Sequence, residues 1–349
     1  MLPTLSLIVP AKNEEKVIKN CIDSLLATDY PKNKMEIIVA VDGSTDNTVK
    51  ICKKYGKKIR LIMSEPKKCK AEAINEVLPL TKGEIIGIYD ADCIVDKKCL
   101  KLAMKHFENK NVAGVSCALK SYNKNQNLLT KSLSIETCLL SFTEHYLCSK
   151  GANSIFFGKN MFIKKSVFDK IGNFDTTTYA EDSELSFRMR RAGYKIVFEH
   201  KAITWAEEPS DIKSFVRQRS RWARGYLRIN KKHHYKSPRD FFSDMMHGIY
   251  YYISPFSLIF VTTILISLLI LNIPFVFLTP LLMLLLFNVY LLIKSRIFFK
   301  ESLKDLILIP LFLLIGNLFV AIMIKSWYDE NTSKDMSWFR TERTGLILR

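Results

Sequence analysis

Four groups of residues in this 349-residue chain have side chains and spacings that can do chemistry. Asp90-Ala-Asp92 follows an apolar run that carries no charge after Glu84. Two carboxylates at i and i+2 on a turn can hold a hard divalent ion, which takes oxygen ligands and bridges to phosphate oxygens. The same pair also suits an ordinary strand-end turn. Asp42 in DGSTDNT can accept hydrogen bonds from a nucleobase in a crevice. It can equally belong to a turn into a helix, with Ser44 or Thr45 as N-cap and Asp46 in the first turn. Glu181-Asp182 reads either as a pair of helix N-terminal acids, as Glu184 suggests, or as a site where a carboxylate takes a proton from an attacking hydroxyl. Gln218, Arg221 and Trp222 fall at i, i+3 and i+4 and so share one helix face. That face offers an amide, a guanidinium suited to phosphate and an indole that stacks on a sugar ring. An interfacial helix anchored by its Trp is the other reading.

The elements that must position these groups alternate in type. Leu5–Pro10, Glu36–Val41, Ile59–Met63 and Glu84–Tyr89 are short apolar, strand-like runs. Glu14–Leu26, Asp46–Tyr55 and Cys69–Leu78 between them have helical spacing. Such alternation predicts an α/β fold, a parallel sheet with helices on both faces. Ligands of such sheets bind outside the carboxyl ends of the strands, where Pro10, Asp42 and Asp90 fall. Gly158–Asp175 then has an apolar rhythm broken by a glycine turn, Tyr179–Tyr194 reads as a helix with an acidic first turn, and Asp211–Asn230 reads as a basic helix. The aromatic and basic mixture in the last of these predicts a helix in a membrane interface. There is no internal repeat and no low-complexity tract.

Composition places the whole. The chain has 52 Lys+Arg against 34 Asp+Glu, a net charge of +18, and its 48% apolar content excludes intrinsic disorder. Residues 248–293 carry no charge over 46 positions and residues 306–324 none over 19. A bilayer crossing takes roughly 20 apolar residues, so three hydrophobic segments are expected, at 249–272, 275–293 and 306–324. The basic residues after 293 place the 294–305 loop inside. Three crossings would leave the tail outside, although its own basic residues favour inside. Ten Lys/Arg and no acid lie between Ile212 and Arg239. Next to a membrane run such a block suits anionic headgroups rather than nucleic acid. No basic leader or cleavage site opens the sequence, and the eight cysteines (21, 52, 69, 93, 99, 117, 138, 148) form no CxxC pair and no zinc spacing. The hydrophobic segments predict a multi-pass protein of the cell membrane, and the other two features predict residues 1–247 cytoplasmic and the thiols reduced. The expected organisation is a catalytic domain over 1–208, basic amphipathic helices over 209–247, the membrane region over 248–327 and a basic tail over 328–349.

The joint occurrence and order of VPAKNEE, Asp42, Lys70 in KAEAIN, Asp90-Ala-Asp92, GKNMFIKKSVF, AED and QRSRW, ahead of hydrophobic segments, resembles the membrane-integrated, inverting family 2 glycosyltransferases. The resemblance is to their synthase-like branch, which makes poly-N-acetylglucosamine, chitin, hyaluronan and cellulose. It covers about residues 4–230 and returns at WFRTER (Trp338–Arg343). It implies a GT-A, Rossmann-like fold holding a nucleotide sugar, a UDP-sugar in the usual case. Pro10, Ala11, Asn13, Glu14 and Asp42 would contact base and ribose, and Lys70 would lie near the nucleotide. Asp90 and Asp92 would lie near ribose and diphosphate, with Asp92 foremost as ligand of Mg²⁺ or Mn²⁺. Asp182 would be the general base, beside Glu181. Gln218, Arg221 and Trp222 would cover the diphosphate and position an acceptor, a glycan or a lipid-linked sugar in the bilayer. The branch usually carries spans before the catalytic domain as well, and three segments are few for a private polysaccharide channel. A single-addition enzyme acting on a lipid-linked acceptor is therefore the alternative, and a non-catalytic membrane scaffold the third reading.

Overall fold

The computed structural model describes residues 2–67, 69–233, 270, 279–332 and 343–347. Strands β1 (Leu5–Ala11), β2 (Met35–Asp42), β3 (Arg60–Ser64) and β4 (Ile85–Ile88) alternate with helices α1 (Ile18–Leu26), α2 (Thr48–Lys53) and α3 (Lys70–Val77). They pair in parallel in the order β3-β2-β1-β4. Alternate side chains of each strand enter opposite layers, as a period of two requires. Leu7, Val9, Ile37, Val39 and Val41 pack in one core with Ile18, Cys21, Ile22 and Leu25 of α1. Ile8, Ile38 and Ala40 pack in the other with Ala71, Ile74 and Val77 of α3. The apolar residues of α1 fall at i, i+3, i+4 and i+7, one stripe of a helix.

The expectation of a parallel sheet is corrected here: the sheet is mixed. After β5 (Ile94–Val95) and α4 (Cys99–Lys105), the chain runs through β6 (Val112–Ser121), α5 (Leu128–Ser149), β7 (Met161–Lys164), α6 (Lys165–Ile171), α7 (Glu181–Arg191) and β8 (Lys195–Ala206). The full order is β3-β2-β1-β4-β7-β6-β8-β5, eight strands. Strand β7 is antiparallel to β4 and to β6, with Met161 opposite Ile88 and Ser116. It starts at the edge where β4 ends because β6 and α5 return the chain to that edge. The consequence is functional. The carboxyl ends of β1, β2, β4, β6 and β8 and the start of β7 all face one side of the sheet.

Helix α8 (Ile212–Lys232) matches the expected basic helix, and Asp211 caps it by accepting the Ser214 N–H at 2.8 Å. Arg224 and Arg228 each donate to Glu330 at 2.8 Å, and Lys232 pairs with Asp175, so much of its charge is spent inside the protein. Glu330 lies on α10 (Ile309–Asn331), which packs along α8, while α9 (Thr279–Phe298) packs along α5. The link from α9 to α10 is tied to the α/β domain. Glu301 receives Lys120 at 2.9 Å and Lys124 at 2.6 Å, and Asp305 receives Lys131 at 3.1 Å.

The expected segment 249–272 lies outside the described residues except at position 270, as do residues 234–247 of the amphipathic region. The segment 275–293 is described from residue 279, in a helix that continues through Lys294 and Arg296 to Phe298. Among the described residues no single helix is long and apolar enough to cross a membrane. Leu303–Phe312 and Leu314–Asn331 meet that test only together, and they bend by 41° at their break. The hydrophobic segment expected over 306–324 falls on this bent pair. All eight cysteines are free thiols.

Candidate active site

Turn by turn, the side chains at this edge are held by local hydrogen bonding. Beyond Ala11 the chain passes through Asn13, whose φ of 55° is tolerated because Asn can bond locally in the left-handed region. The Asn13 carboxamide accepts the Thr45 N–H at 2.7 Å, and the Ser44 hydroxyl accepts the Asn13 N–H at 2.9 Å. Thr48 in turn accepts the Glu14 N–H at 2.7 Å. The two loops that follow β1 and β2 are thus laced together. Asp42 is 5% exposed; its carboxylate accepts the Lys67 N–H and faces Lys12 Nζ at 3.4 Å. Pro10 and Ala11 end β1 directly beside Ala40 and Val41.

The acids of the centre converge on one lysine. Lys70, the first residue of α3, lies 2.6 Å from Asp90 Oδ1 and 3.2 Å from Glu181 Oε1, and donates to the Gly158 carbonyl at 3.1 Å. Burial works against its charge, but Asp90 and Glu181 outweigh burial and hold its pKa above the ordinary lysine range. Asp182 starts α7 next to Glu181. Burial, and then the charge of Glu181, push the Asp182 carboxyl up to about 7. Gly158 makes this possible. Its φ is +68°, and a Cβ placed there would come 2.7 Å from Asp182 Oδ2, so only glycine lets the β7 entry loop lie against that carboxylate. Gly225 acts alike on α8, where a Cβ would meet Ala180 Cβ at 2.7 Å. It lets α8 press on the turn before Glu181.

Asp92, 4% exposed, faces a different set. Its Oδ2 lies 3.1 Å from Arg343 Nη2 and 3.8 Å from Lys159 Nζ, and accepts the Glu207 N–H at 3.2 Å. Burial alone would raise this carboxyl, but Arg343 and Lys159 hold it below its usual range. Glu207, buried at the end of β8, anchors the tail segment. It accepts Thr344 N–H at 2.7 Å, Thr344 Oγ1 at 2.6 Å and Tyr122 OH at 2.8 Å, while its carbonyl accepts from Arg343 at 2.7 Å. Glu208 beside it accepts Ser121 and Thr137 hydroxyls, both at 2.7 Å.

A cavity of about 160 Å³ lies among these groups, lined by Lys70, Asp90, Asp182, Glu208, Gln218, Arg221, Trp222 and Phe319 among others. Gln218 Oε1 and Arg221 Nε are buried without a hydrogen-bond partner among the described residues. A buried acceptor and a buried donor left open on a cavity wall are suited to a polar ligand group, since such atoms are seldom left unpaired.

The structure therefore brings Lys70, Asp90, Glu181, Asp182, Gln218, Arg221 and Trp222 to one cavity, with Asp92 beside it. Asn13, Glu14 and Asp42 stand further along the same edge in loops that bond to each other. Sequence reasoning missed Glu207, Glu208, Lys159 and the placement of Arg343. The paired acids after Ala206 at a strand end were a readable signal, and Arg343 closes the WFRTER motif. The rest of that motif, Trp338–Glu342, lies outside the described residues.

Among the described residues no three His, Cys, Asp or Glu side chains converge on one point. Two carboxylates at a strand end still match what Mg²⁺ takes from a protein when phosphates and water complete its shell.

Residues 6–172 match the family described as glycosyl transferase family 2. Among curated proteins, the "Probable glycosyltransferase YdaM" of Bacillus subtilis is 34% identical over 237 residues, 64% of this chain and 55% of its own length. The beta-monoglucosyldiacylglycerol synthase of Nostoc sp. is 30% identical over 64% of this chain and 49% of its own. The poly-beta-1,6-N-acetyl-D-glucosamine synthase of Staphylococcus epidermidis is 27% identical over 63% and 54%. The chain thus spans about half the length of the curated relatives it matches. Among solved structures, a mannosyltransferase of Pyrobaculum calidifontis in complex with GDP-Man and Mn²⁺ superposes with a TM-score of 0.63, at 20% identity, over 96% of this chain and 89% of that one. The fold is a GT-A-like α/β fold with a curled mixed sheet.

Proposed function

Starting from a chain whose residues 6–172 carry a glycosyl transferase family 2 domain, we propose that it transfers a sugar, with inversion, from a nucleotide sugar to a hydroxyl of a membrane-borne acceptor. The observation that carries this reading is that one cavity is lined by Asp182, its pKa raised to about 7, together with Lys70, Asp90, Gln218, Arg221 and Trp222.

The chemistry asks for few groups. One base on the acceptor side takes the proton of the attacking hydroxyl, and a pKa near the working pH suits Asp182 to that task. The hydroxyl oxygen bonds to the anomeric carbon on the face opposite the diphosphate. The bond from that carbon to the diphosphate oxygen breaks, and the nucleoside diphosphate leaves. One in-line displacement inverts the centre, so an α-linked donor gives a β-linkage. Lys70 holds Asp90 and Glu181 in place beside the nucleotide. Arg221 and Gln218 offer their open donor and acceptor to the diphosphate and to the acceptor hydroxyl, and Trp222 offers a ring face to the acceptor sugar. Asp92 and Asp90 would hold a Mg²⁺ or Mn²⁺ ion, whose charge stabilises the departing diphosphate. Pro10, Ala11, Asn13, Glu14 and Asp42 form the edge on which base and ribose would rest.

A UDP-sugar is the leading donor and a glycan the leading acceptor, as in the polymer synthases. The second reading is one-sugar addition to a lipid-linked acceptor. It is favoured by the apolar side chains of Leu140, Phe157 and Phe319 in the lining of the same cavity. The exposed apolar side chains of α9, α10 and the turn between them, such as Met283, Ile307, Leu314 and Trp327, support residence at the cell membrane.

The test is nucleotide release from a panel of UDP- and GDP-sugars in native membranes, with and without Mn²⁺ or Mg²⁺, and product sizing on a gel. Metal-dependent release from one donor is the expected result. A polymer ladder would select the synthase reading and a single lipid-linked product the second one. Absence of both release and nucleotide binding across the panel would leave the scaffold reading.

A further inference from the structure

The lining of the cavity includes an ion pair that the reaction does not use. Arg219 on α8 donates from Nη2 to Glu136 Oε2 on α5 at 2.6 Å, and the two side chains are 7% and 15% exposed. The Arg219 guanidinium stands 4.4 Å from the Trp222 ring centre, 5.2 Å from that of Phe215 and 5.7 Å from that of Phe319. Three rings from two helices thus surround one cation, within the range where a cation on an aromatic face is attractive. Such a pair is a costly way to fill volume, because apolar residues of similar size often stabilise a protein as well or better. What apolar residues cannot do is fix the plane of an indole through a directed, planar cation.

We infer that Glu136 and Arg219 are positioning residues of the acceptor subsite. Glu136 fixes the guanidinium, the guanidinium fixes the Trp222 indole, and Phe319 of α10 closes the same wall. The subsite is thereby assembled from α5, α8 and α10 together. It takes a sugar carrying an apolar group: the ring stacks on Trp222 and the apolar group lies toward Phe319. This inference rests on the glycosyltransferase reading given above.

The experiment measures transfer by the full chain in native membranes, with the active donor, to octyl and methyl glycosides of one sugar. The wild type is compared with Arg219→Lys, with Glu136→Met/Arg219→Met, which replaces the pair by apolar residues and preserves packing, and with Phe319→Ala. The double variant is expected to raise the acceptor KM about tenfold while donor KM stays within twofold, and Arg219→Lys to recover part of the loss. Phe319→Ala is expected to erase the preference for the octyl over the methyl glycoside. Thermal midpoints report whether each variant is folded. A folded double variant with an unchanged acceptor KM would overturn the inference, as would equal increases in donor and acceptor KM. A wild-type chain that releases nucleotide from no donor would overturn the glycosyltransferase reading itself, and this inference with it.

Discussion

Asp182 carries the account at the scale of single residues. Its carboxyl sits at about 7 because burial, and then Glu181, disfavour its charge. A base must be ionised to act, so kcat/KM should rise with pH through a limb centred near 7. Glu181→Gln removes the neighbouring charge and should move that limb to lower pH, which a pH–rate profile reads directly. The same shift has a stability consequence of opposite sign. The unfolded chain releases this proton near 4, the folded chain near 7, so the unfolded state binds fewer protons between these values and stability falls as pH rises through that window. Asp182→Asn removes the penalty, and thermal melts at pH 8 should show the variant at least as stable as the wild type. Gly158→Ala is predicted to do the reverse of a silent change. Its Cβ would strike the Asp182 carboxylate, and transfer should drop at least tenfold with nucleotide binding kept.

At the scale of elements, Asp211→Ala should cost about 1 kcal/mol by loss of the α8 cap, visible as a lower midpoint of unfolding. Asp211 was legible as the start of α8 because an Asp ahead of a periodic run has few other meanings. The strands β1, β2 and β4 were legible too, since buried apolar runs with flanking helices leave little ambiguity. Strand direction was not. Met161–Lys164 is as apolar as its neighbours, and nothing in MFIK says that it runs against them; that follows from where α5 returns the chain. Helix α5 itself went unread because its apolar residues are mixed with serines and threonines that it buries, including Thr130, Ser132, Ser141 and Thr143. The charge of α8 was legible, but its distant partners Glu136 and Glu330 were not, because a sequence does not show what folds against it. For the site, the adjacent signals Asp90-Ala-Asp92, Glu181-Asp182 and QRSRW were visible. The contact of Arg343 with Asp92 was not, since 251 positions separate the two.

For the molecule as a whole, α10 adds Phe319 to the cavity of the α/β domain, and Glu301 ties the link between α9 and α10 to that domain. It accepts from Lys120 and Lys124 at the link between α9 and α10. Glu301→Lys should therefore loosen α9 and α10 from the domain, which limited proteolysis would show as faster cleavage near residues 299–305. The net charge of +18, with ten basic residues just ahead of the uncharged run, fits a chain held to an anionic surface, and the pairing of Arg219, Arg224 and Arg228 with internal acids means that only part of that charge is free to act there. One comparison tests the central claim most directly: the rate of sugar transfer by Asp182→Asn relative to the wild type at pH 8, with nucleotide binding measured on the same preparations. Loss of a positioned base predicts a fall of about 10²–10⁴-fold in transfer with nucleotide affinity preserved; transfer by the variant at the wild-type rate would contradict the account.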